Sequence, residues 1–373
     1  MGLYFGEIHI HSNLSDGRGS PAQNLRYARD VAGLDFGAIT DHAEDLDKRK
    51  WNRTKEEIQK YNNKSEFVTL LAFEWTHPSG LEVWKPLVQD KLDPSQLTTD
   101  RWGHRNVYYK GIEGNFYQWK DDISNTPEKL FNILKKQNIP ALVIPHHPAS
   151  YVFPVDWEKH NSEFERLVEI YSMWGSSEMH EREGNRSPII RGGGEVDPEK
   201  ESHVIDALKH GCKLGLIAGS DGHDGFGGKT RHHISNLTEH QGPFYPSGIV
   251  ATYAEELSRE SIWNALWDRN CYGTTGQKIR LHFTVNGERM GSEINVKQDE
   301  EITVKAKVSG TADIQKVEVI ENGEIGFKKY GNSPEVNLKS KSRIKNGYIY
   351  VRVFQTDGGM AWSSPIWVSG ISP

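Results

Sequence analysis

The sequence predicts an α/β fold in two parts: a parallel sheet or β/α barrel over the first three quarters of the chain, then an antiparallel β-sandwich. Three observations predict it. Strand-like and helix-like stretches alternate as far as Gly276; short alternating runs broken by Gly, Asn and Asp then take over; and histidines and acids gather at the predicted strand ends. Repeated strand–helix units imply parallel strands, because a crossover helix returns the chain to the same end of the sheet. The change of pattern sets the expected domains at 1–276 and 277–373.

The first strand, 4–11, places His9 and His11 on one face and Ile8 and Ile10 on the other, since side chains alternate along a strand. Ser20 followed by Pro21 is an N-cap with proline at the first helical position, and that helix stops at Gly33. Strands follow at 36–41, 67–75, 105–110 and 141–146. Thr126 and Pro127 repeat the capping device, with Leu130, Phe131 and Leu134 on one helix face. Strands at 167–171 and 214–220 and helices at 198–210 and 258–268 complete the first part. Segments 76–103 and 149–200 break the rhythm with Trp, Pro, Gly and charge, the make-up of substrate walls or of plain surface loops. From Leu281 onward LHFTVNG, EITVKAKVSG, VEVIENG, YIYVRVFQTDG and SPIWVS have the spacing of an antiparallel sandwich.

The totals exclude several classes. Among 373 residues no apolar run approaches the roughly 20 that a spanning helix needs. A formal net charge of −6 gives no electrostatic footprint for duplex nucleic acid or an anionic membrane. Cys212 and Cys271 stand apart from each other and from the histidine clusters, which argues against a thiolate metal site, and two buried free thiols are expected in preference to one disulfide. A strand begins within three residues of Met1, which leaves no room for a signal peptide and reads as cytoplasmic, unless Met1-Gly2 replaces a removed leader.

Chemistry is expected where the polar residues converge. His9 and His11 close the first strand, His42 the second, Glu74 the third; His104 stands beside the fourth, His146 and His147 close the fifth, and Asp221 and His223 the last. In a β/α barrel these ends meet at one mouth. Buried polar groups are costly unless paired, so seven histidines and several acids at one pole call for ions. Imidazole and carboxylate without thiolate suit Zn²⁺, Mn²⁺ or Fe²⁺. These positions are too many for one tetrahedral site, which implies two or three divalent metals, with Glu74 suited to bridge a pair. Two ions roughly 3.5–4 Å apart generate a hydroxide and clamp the oxygens of an in-line displacement at phosphorus.

HIHSNLSDG, ITDH, FEW, GH, PHHP and GSDGH, in this order over residues 4–276, resemble the motifs of the PHP (polymerase and histidinol phosphatase) superfamily of metal-dependent phosphoesterases. Its most specific pieces are His-x-His-x4-Asp and Ser-Asp-x-His. The resemblance implies a distorted (β/α)7, TIM-like barrel with a trinuclear centre. It assigns His9, His11, Glu74 and Asp221 to the first metal; Glu74, His104 and a fifth-motif histidine to the second; and Asp16, His42 and His223 to the third. Matching His-Pro selects His147, whereas matching the strand-end residue, the reading preferred here, selects His146.

Around this set, the loop 224–233 carries Lys229, Arg231, His232 and His233 among glycines, and Arg231 is the expected phosphate-binding cation, with Glu74 and Asp221, in catalysis. Glu169 is an expected acceptor behind a metal-bound imidazole, or else a plain buried carboxylate. The function expected is hydrolysis of a small phosphate mono- or diester by a metal-bound hydroxide. The alternatives are an amidohydrolase-type attack on a carbonyl, or a non-enzymatic metal- or carbohydrate-binding protein whose sandwich carries the function.

Overall fold

A computed structural model describes residues 1–77, 100–191, 194–232, 244–297 and 300–371. Residues 78–99, with Trp84 and most of the first interrupting segment, and 233–243, with His233 and His240, lie outside the described residues.

The first part builds strands β1 (Gly2–Glu7), β2 (Phe36–Ile39), β3 (Val68–Thr76), β4 (His104–Tyr109), β5 (Ala141–His146), β6 (Leu167–Ser172), β7 (Gly175–Ser176), β8 (Gly215–Ala218), β9 (Ile249–Ala254) and β10 (Cys271–Thr274). Five α-helices accompany them among the described residues: α1 (Pro21–Asp30), α2 (Lys48–Tyr61), α3 (Pro127–Gln137), α4 (Val204–Lys209) and α5 (Arg259–Trp267). Ser20 and Thr126 accept from the amides of Gln23 and Lys129 as N-caps, and Asn138 ends α3 in the left-handed conformation. The predicted helix 198–210 divides into a 3₁₀ turn at Pro198–Lys200 and the short α4.

The expected (β/α)7, TIM-like barrel is not what forms. Neighbours β1–β2, β2–β3, β5–β6 and β6–β8 are parallel, but β4 runs antiparallel to both β3 and β5, and β9 antiparallel to β1 and β10. Beyond their ends, β1 and β8 are joined by the bridge Ile10–Gly222 rather than by a ladder. The protein is sheet-rich, with large mixed and antiparallel sheets and short helices. Periodicity tells strand from helix; strand direction is decided by pairing across the sheet, which local sequence does not carry.

The second part is β11 (Arg280–Val285), β12 (Glu288–Arg289), β13 (Glu293–Lys297), β14 (Ile302–Ser309), β15 (Ile314–Glu321), β16 (Glu324–Tyr330), β17 (Glu335–Ser342), β18 (Asn346–Gln355), β19 (Met360–Ser363) and β20 (Ile366–Ile371). One sheet has the order β12-β11-β14-β17; the other strands continue the large sheet, because β19 pairs with β10. Alternation is visible in β14, whose burial follows period two with Ile302, Val304, Ala306 and Val308 inward. Glu178, just beyond β7, locks the two parts together. It accepts from Tyr350 Oη (2.6 Å), Arg352 Nη1 (3.0 Å) and Trp362 Nε1 (2.8 Å), all buried. Cys212 and Cys271 are both free and buried.

Candidate metal centre

The polar cluster lies just beyond the ends of β1, β2 and β8, at the ends of β3 and β5 and at the start of β4, where buried apolar strands deliver it to one place. β1 stops at Glu7, and the extended chain beyond it carries His9 and His11 to the Gly222 carbonyl, which accepts from His11 N at 2.9 Å. Asp41 then shapes the following turn by accepting from Ser12 N (2.6 Å), Ser12 Oγ (2.7 Å) and Ser15 Oγ (2.7 Å). Lys50 of α2 holds the same loop through the Leu14 carbonyl at 2.8 Å. Asp16 is thereby fixed beside the histidines. Gly219 is obligatory on steric grounds, since a Cβ there would fall on the Glu169 carboxylate and His9.

Three donor groups result. In the first, His11 Nε2 lies 3.1 Å from Glu74 Oε2, 3.2 Å from Asp221 Oδ1 and 3.4 Å from His9 Nε2, while His9 Nε2 lies 3.4 Å from both carboxylates. Tetrahedral ligands held about 2.0–2.1 Å from an ion stand about 3.3–3.4 Å from one another. These five separations match the spacing that a Zn²⁺-sized ion requires, and all four atoms lie within 4.8 Å of one another. In the second group the other oxygen of Glu74, Oε1, lies 3.0 Å from His104 Nδ1 and 3.2 Å from His146 Nε2. His146 Nε2 nevertheless makes no aligned hydrogen bond, as expected of donors aimed at a shared point rather than at each other. His147 joins His104 and His146 with ring nitrogens within 4.8 Å of one another. In the third, Asp16 Oδ1 lies 3.4 Å from His223 Nε2, 3.6 Å from His42 Nε2 and 3.8 Å from His11 Nδ1.

The tautomers support the same reading. His9 Nδ1–H donates to Glu169 Oε2 (2.9 Å), His223 Nδ1–H to the Asp221 carbonyl (2.8 Å), and His42 Nδ1–H to Thr76 Oγ1 (2.6 Å), which passes its own proton toward Glu74 Oε1 (2.9 Å). Each turns Nε2 toward the cluster, the atom through which an imidazole anchored at Nδ1 binds a metal. Thr76 is a member of the site that the sequence does not single out.

Electrostatics sort the groups by charge. Burial would raise Glu74 and Asp221, but the surrounding histidines, His42 and His146 for Glu74 and His9 and His11 for Asp221, hold both carboxyls well below their usual range. Asp16 is lowered likewise by His42 and His223 against burial. Burial also works against protonated His9 and His42; carboxylates outweigh it, Glu169 and Asp221 raising His9, and Glu74 and Asp16 lifting His42 to about 10. Burial wins at His104, which falls to about 3, and at His147, pushed well below its usual value by burial and by His146 and His104. Those two imidazoles are neutral near pH 7. His147 (φ +33°) and Asp221 (φ +55°) both occupy the left-handed region, a cost of order 1–2 kcal/mol per residue that the surrounding structure must hold in place.

Of the remaining expectations, Glu169 stands behind His9. Arg231 is exposed, and among the described residues no hydrogen bond or ion pair ties it to the donor groups. His232 is buried, with Nδ1 2.7 Å from Asp224 Oδ1 and its ring against Gly222. Arg191 had no signal in the sequence; it is a buried guanidinium near His104 and His147. No helix among the described residues is long and apolar enough to cross a membrane.

Comparisons with known proteins fall on both parts of the chain. Residues 211–317 match the model of a family described as "Protein of unknown function (DUF3604)". The chain is 29% identical over 389 residues to an "Uncharacterized protein" of Chlamydia muridarum (strain MoPn / Nigg), and 29% identical over 386 residues to one of Chlamydia pneumoniae. Each alignment covers 98% of this chain and 57% of the relative, so the chain spans little more than half the length of the curated relatives it matches. Among solved structures it is similar to PsfC from Pseudomonas syringae PB-5123, at 13% identity and a TM-score of 0.39 over 70% of this chain and 86% of that one, a likeness too slight to argue from.

Proposed function

We propose that the chain is a divalent-metal-dependent phosphoesterase of the PHP type, acting on a small phosphorylated substrate. The observation that carries the metal reading is the first donor group: four buried nitrogens and oxygens from three distant stretches of sequence, with the His9 and His11 nitrogens 3.1–3.4 Å from each other and from both carboxylates. Glu74 supports the polynuclear reading, since its two oxygens face two different groups. His9, His11, Glu74 and Asp221 would hold one ion, Glu74, His104 and His146 a second, and Asp16, His42 and His223 a third. Bound there, Zn²⁺, Mn²⁺ or Fe²⁺ would supply Lewis acidity and a water activated for attack on phosphorus.

The protein's own part is preorganisation. Glu169 and Thr76 hold His9 and His42 in the ligating tautomer, and the buried, strained backbone at Asp221 and His147 fixes where donors point. No side chain of the chain is required as nucleophile. A cytoplasmic location belongs to the same proposal, in keeping with two unpaired cysteines. The test is metal content and p-nitrophenyl phosphate turnover on the same sample, wild type beside Asp221→Ala. The expected result is two or three ions per chain with turnover in the wild type and loss of both in the variant. Less than one ion per chain after reconstitution with Zn²⁺, Mn²⁺ or Fe²⁺ overturns the metal centre. Turnover of carboxylic esters or amides with none of phosphate esters overturns the reaction class.

A further inference from the structure

Arg191 is a charged side chain buried to 8% exposure, and its Nε and Nη1 have no hydrogen-bond partner among the described residues. No ion pair among them involves it either. Its guanidinium carbon lies 4.3 Å from the centroid of the Trp174 ring and 5.7 Å from that of Phe153. Those aromatic faces stabilise the charge. They leave the in-plane N–H donors unsatisfied, because a guanidinium presents its five donors at its edge rather than its face.

The position of this edge gives it a use. Phe153 packs 3.9 Å from the His104 ring and 5.7 Å from the His147 ring, so Arg191 stands one aromatic side chain away from the second donor group. Its backbone is tied to the same loop, with Ser150 Oγ donating to the Arg191 carbonyl at 3.2 Å and Ser150 N to the His147 carbonyl at 2.9 Å. The positive charge adds to the lowering of both imidazoles. His147 Nδ1 is likewise buried and unpartnered. A cation with free donors, walled by two aromatic rings beside the donor groups, fits an oxyanion whose other oxygens lie on those groups.

We propose that Arg191 binds a non-bridging oxygen of the substrate phosphate and makes this chain a phosphomonoesterase. The proposal rests on the phosphoesterase reading above and deepens it. A monoester dianion has three non-bridging oxygens, enough to reach the metal positions and still give one to Arg191. A diester has only two, so giving one to Arg191 leaves a single oxygen for the metal positions.

The test uses the full chain loaded with metal, as wild type, Arg191→Gln and Arg191→Lys, with metal content checked in each. Two readouts are taken: calorimetric binding of inorganic phosphate, and kcat/KM on p-nitrophenyl phosphate and bis-p-nitrophenyl phosphate. Arg191→Gln is expected to weaken phosphate binding at least about tenfold and to lower monoester kcat/KM on the order of 100-fold, with KM raised, while diester turnover changes less than about threefold. Arg191→Lys, which keeps the charge without the planar fork, recovers part of the loss and decides the matter if the glutamine variant fails to fold. Unchanged phosphate affinity and an unchanged monoester-to-diester ratio at native metal content overturn the proposal, as does a wild type that binds no phosphate. If the wild type turns over neither ester, the phosphoesterase reading fails, and the phosphate titration still decides whether Arg191 binds the anion.

Discussion

Glu178→Ala is expected to destabilise the protein by about 3–5 kcal/mol, although the residue lies in neither hydrophobic core nor donor cluster. Its carboxylate is 2% exposed and accepts from Tyr350 Oη, Trp362 Nε1 and Arg352 Nη1, so truncation strands three donors at once. A buried donor left unsatisfied costs roughly 1–3 kcal/mol, and breaking a buried ion pair roughly 3–5 kcal/mol. The loss is limited because Arg352 keeps the Glu318 carboxylate, which accepts from its Nε at 3.0 Å and its Nη2 at 2.7 Å. Arg352→Ala in the Glu178→Ala background should then cost less than it does in the wild type, with a coupling of about 1–3 kcal/mol. The assay is urea unfolding followed by near-ultraviolet circular dichroism and by tryptophan fluorescence; coincident transitions license a two-state free energy. A Glu178→Ala midpoint within about 1 kcal/mol of wild type would refute the reasoning, since that is what an ordinary surface substitution does.

Glu169→Gln, which alters the partner of His9 Nδ1–H without removing a proposed ligand, should weaken metal binding 10–100-fold by titration calorimetry; an unchanged affinity would show that the carboxylate is merely structural. Burial raises Glu7 to about 8 from its usual 4.5, so the folded protein holds a proton there that the unfolded chain has lost. That contribution to stability is complete below pH 4.5 and is lost as pH rises through 8. The metal-free wild type should therefore lose about 1 kcal/mol per pH unit relative to Glu7→Gln across this window, and parallel stability–pH curves would rule it out. Trp51→Ala should cost about 3–5 kcal/mol, because the ring is 3% exposed and donates to the Gly114 carbonyl at 3.0 Å; a thermal midpoint equal to wild type would show that α2 is not held through it.

The residues of the candidate site were far more legible than the architecture that gathers them. His9 and His11, two apart in an alternating run, announce a shared face whatever the sheet around them does, and Ser220-Asp221-Gly222-His223 is a tight polar turn behind an apolar strand in any topology. Strand direction had no such signature. β4 lies antiparallel between β3 and β5 even though α3 occupies the connection that a parallel crossover would use. α2 was missed because KRKWNRTKEEIQKY is dominated by charge; its buried stripe is Trp51, Thr54, Glu57, Ile58 and Tyr61, in which only three members look apolar.

Arg231 and Arg191 show why a cation is harder to place than a ligand. Arg231 follows the last donors in sequence, among glycines, and that nearness suggested a phosphate contact, yet it is exposed. Arg191 sits in SPIIRGGGE, thirty residues from the nearest donor, Asp221, and no periodicity marks it. What distinguishes it is burial between Trp174 and Phe153 with donors left over, a property of three segments meeting in space. A metal ligand must lie within bonding distance of an ion, so several converge and their strands betray them. An anion-binding arginine reaches its target along a flexible stem, from whichever loop happens to pass. Its position is fixed by the aromatic walls that hold it, and these come from stretches of sequence that carry no polar signal.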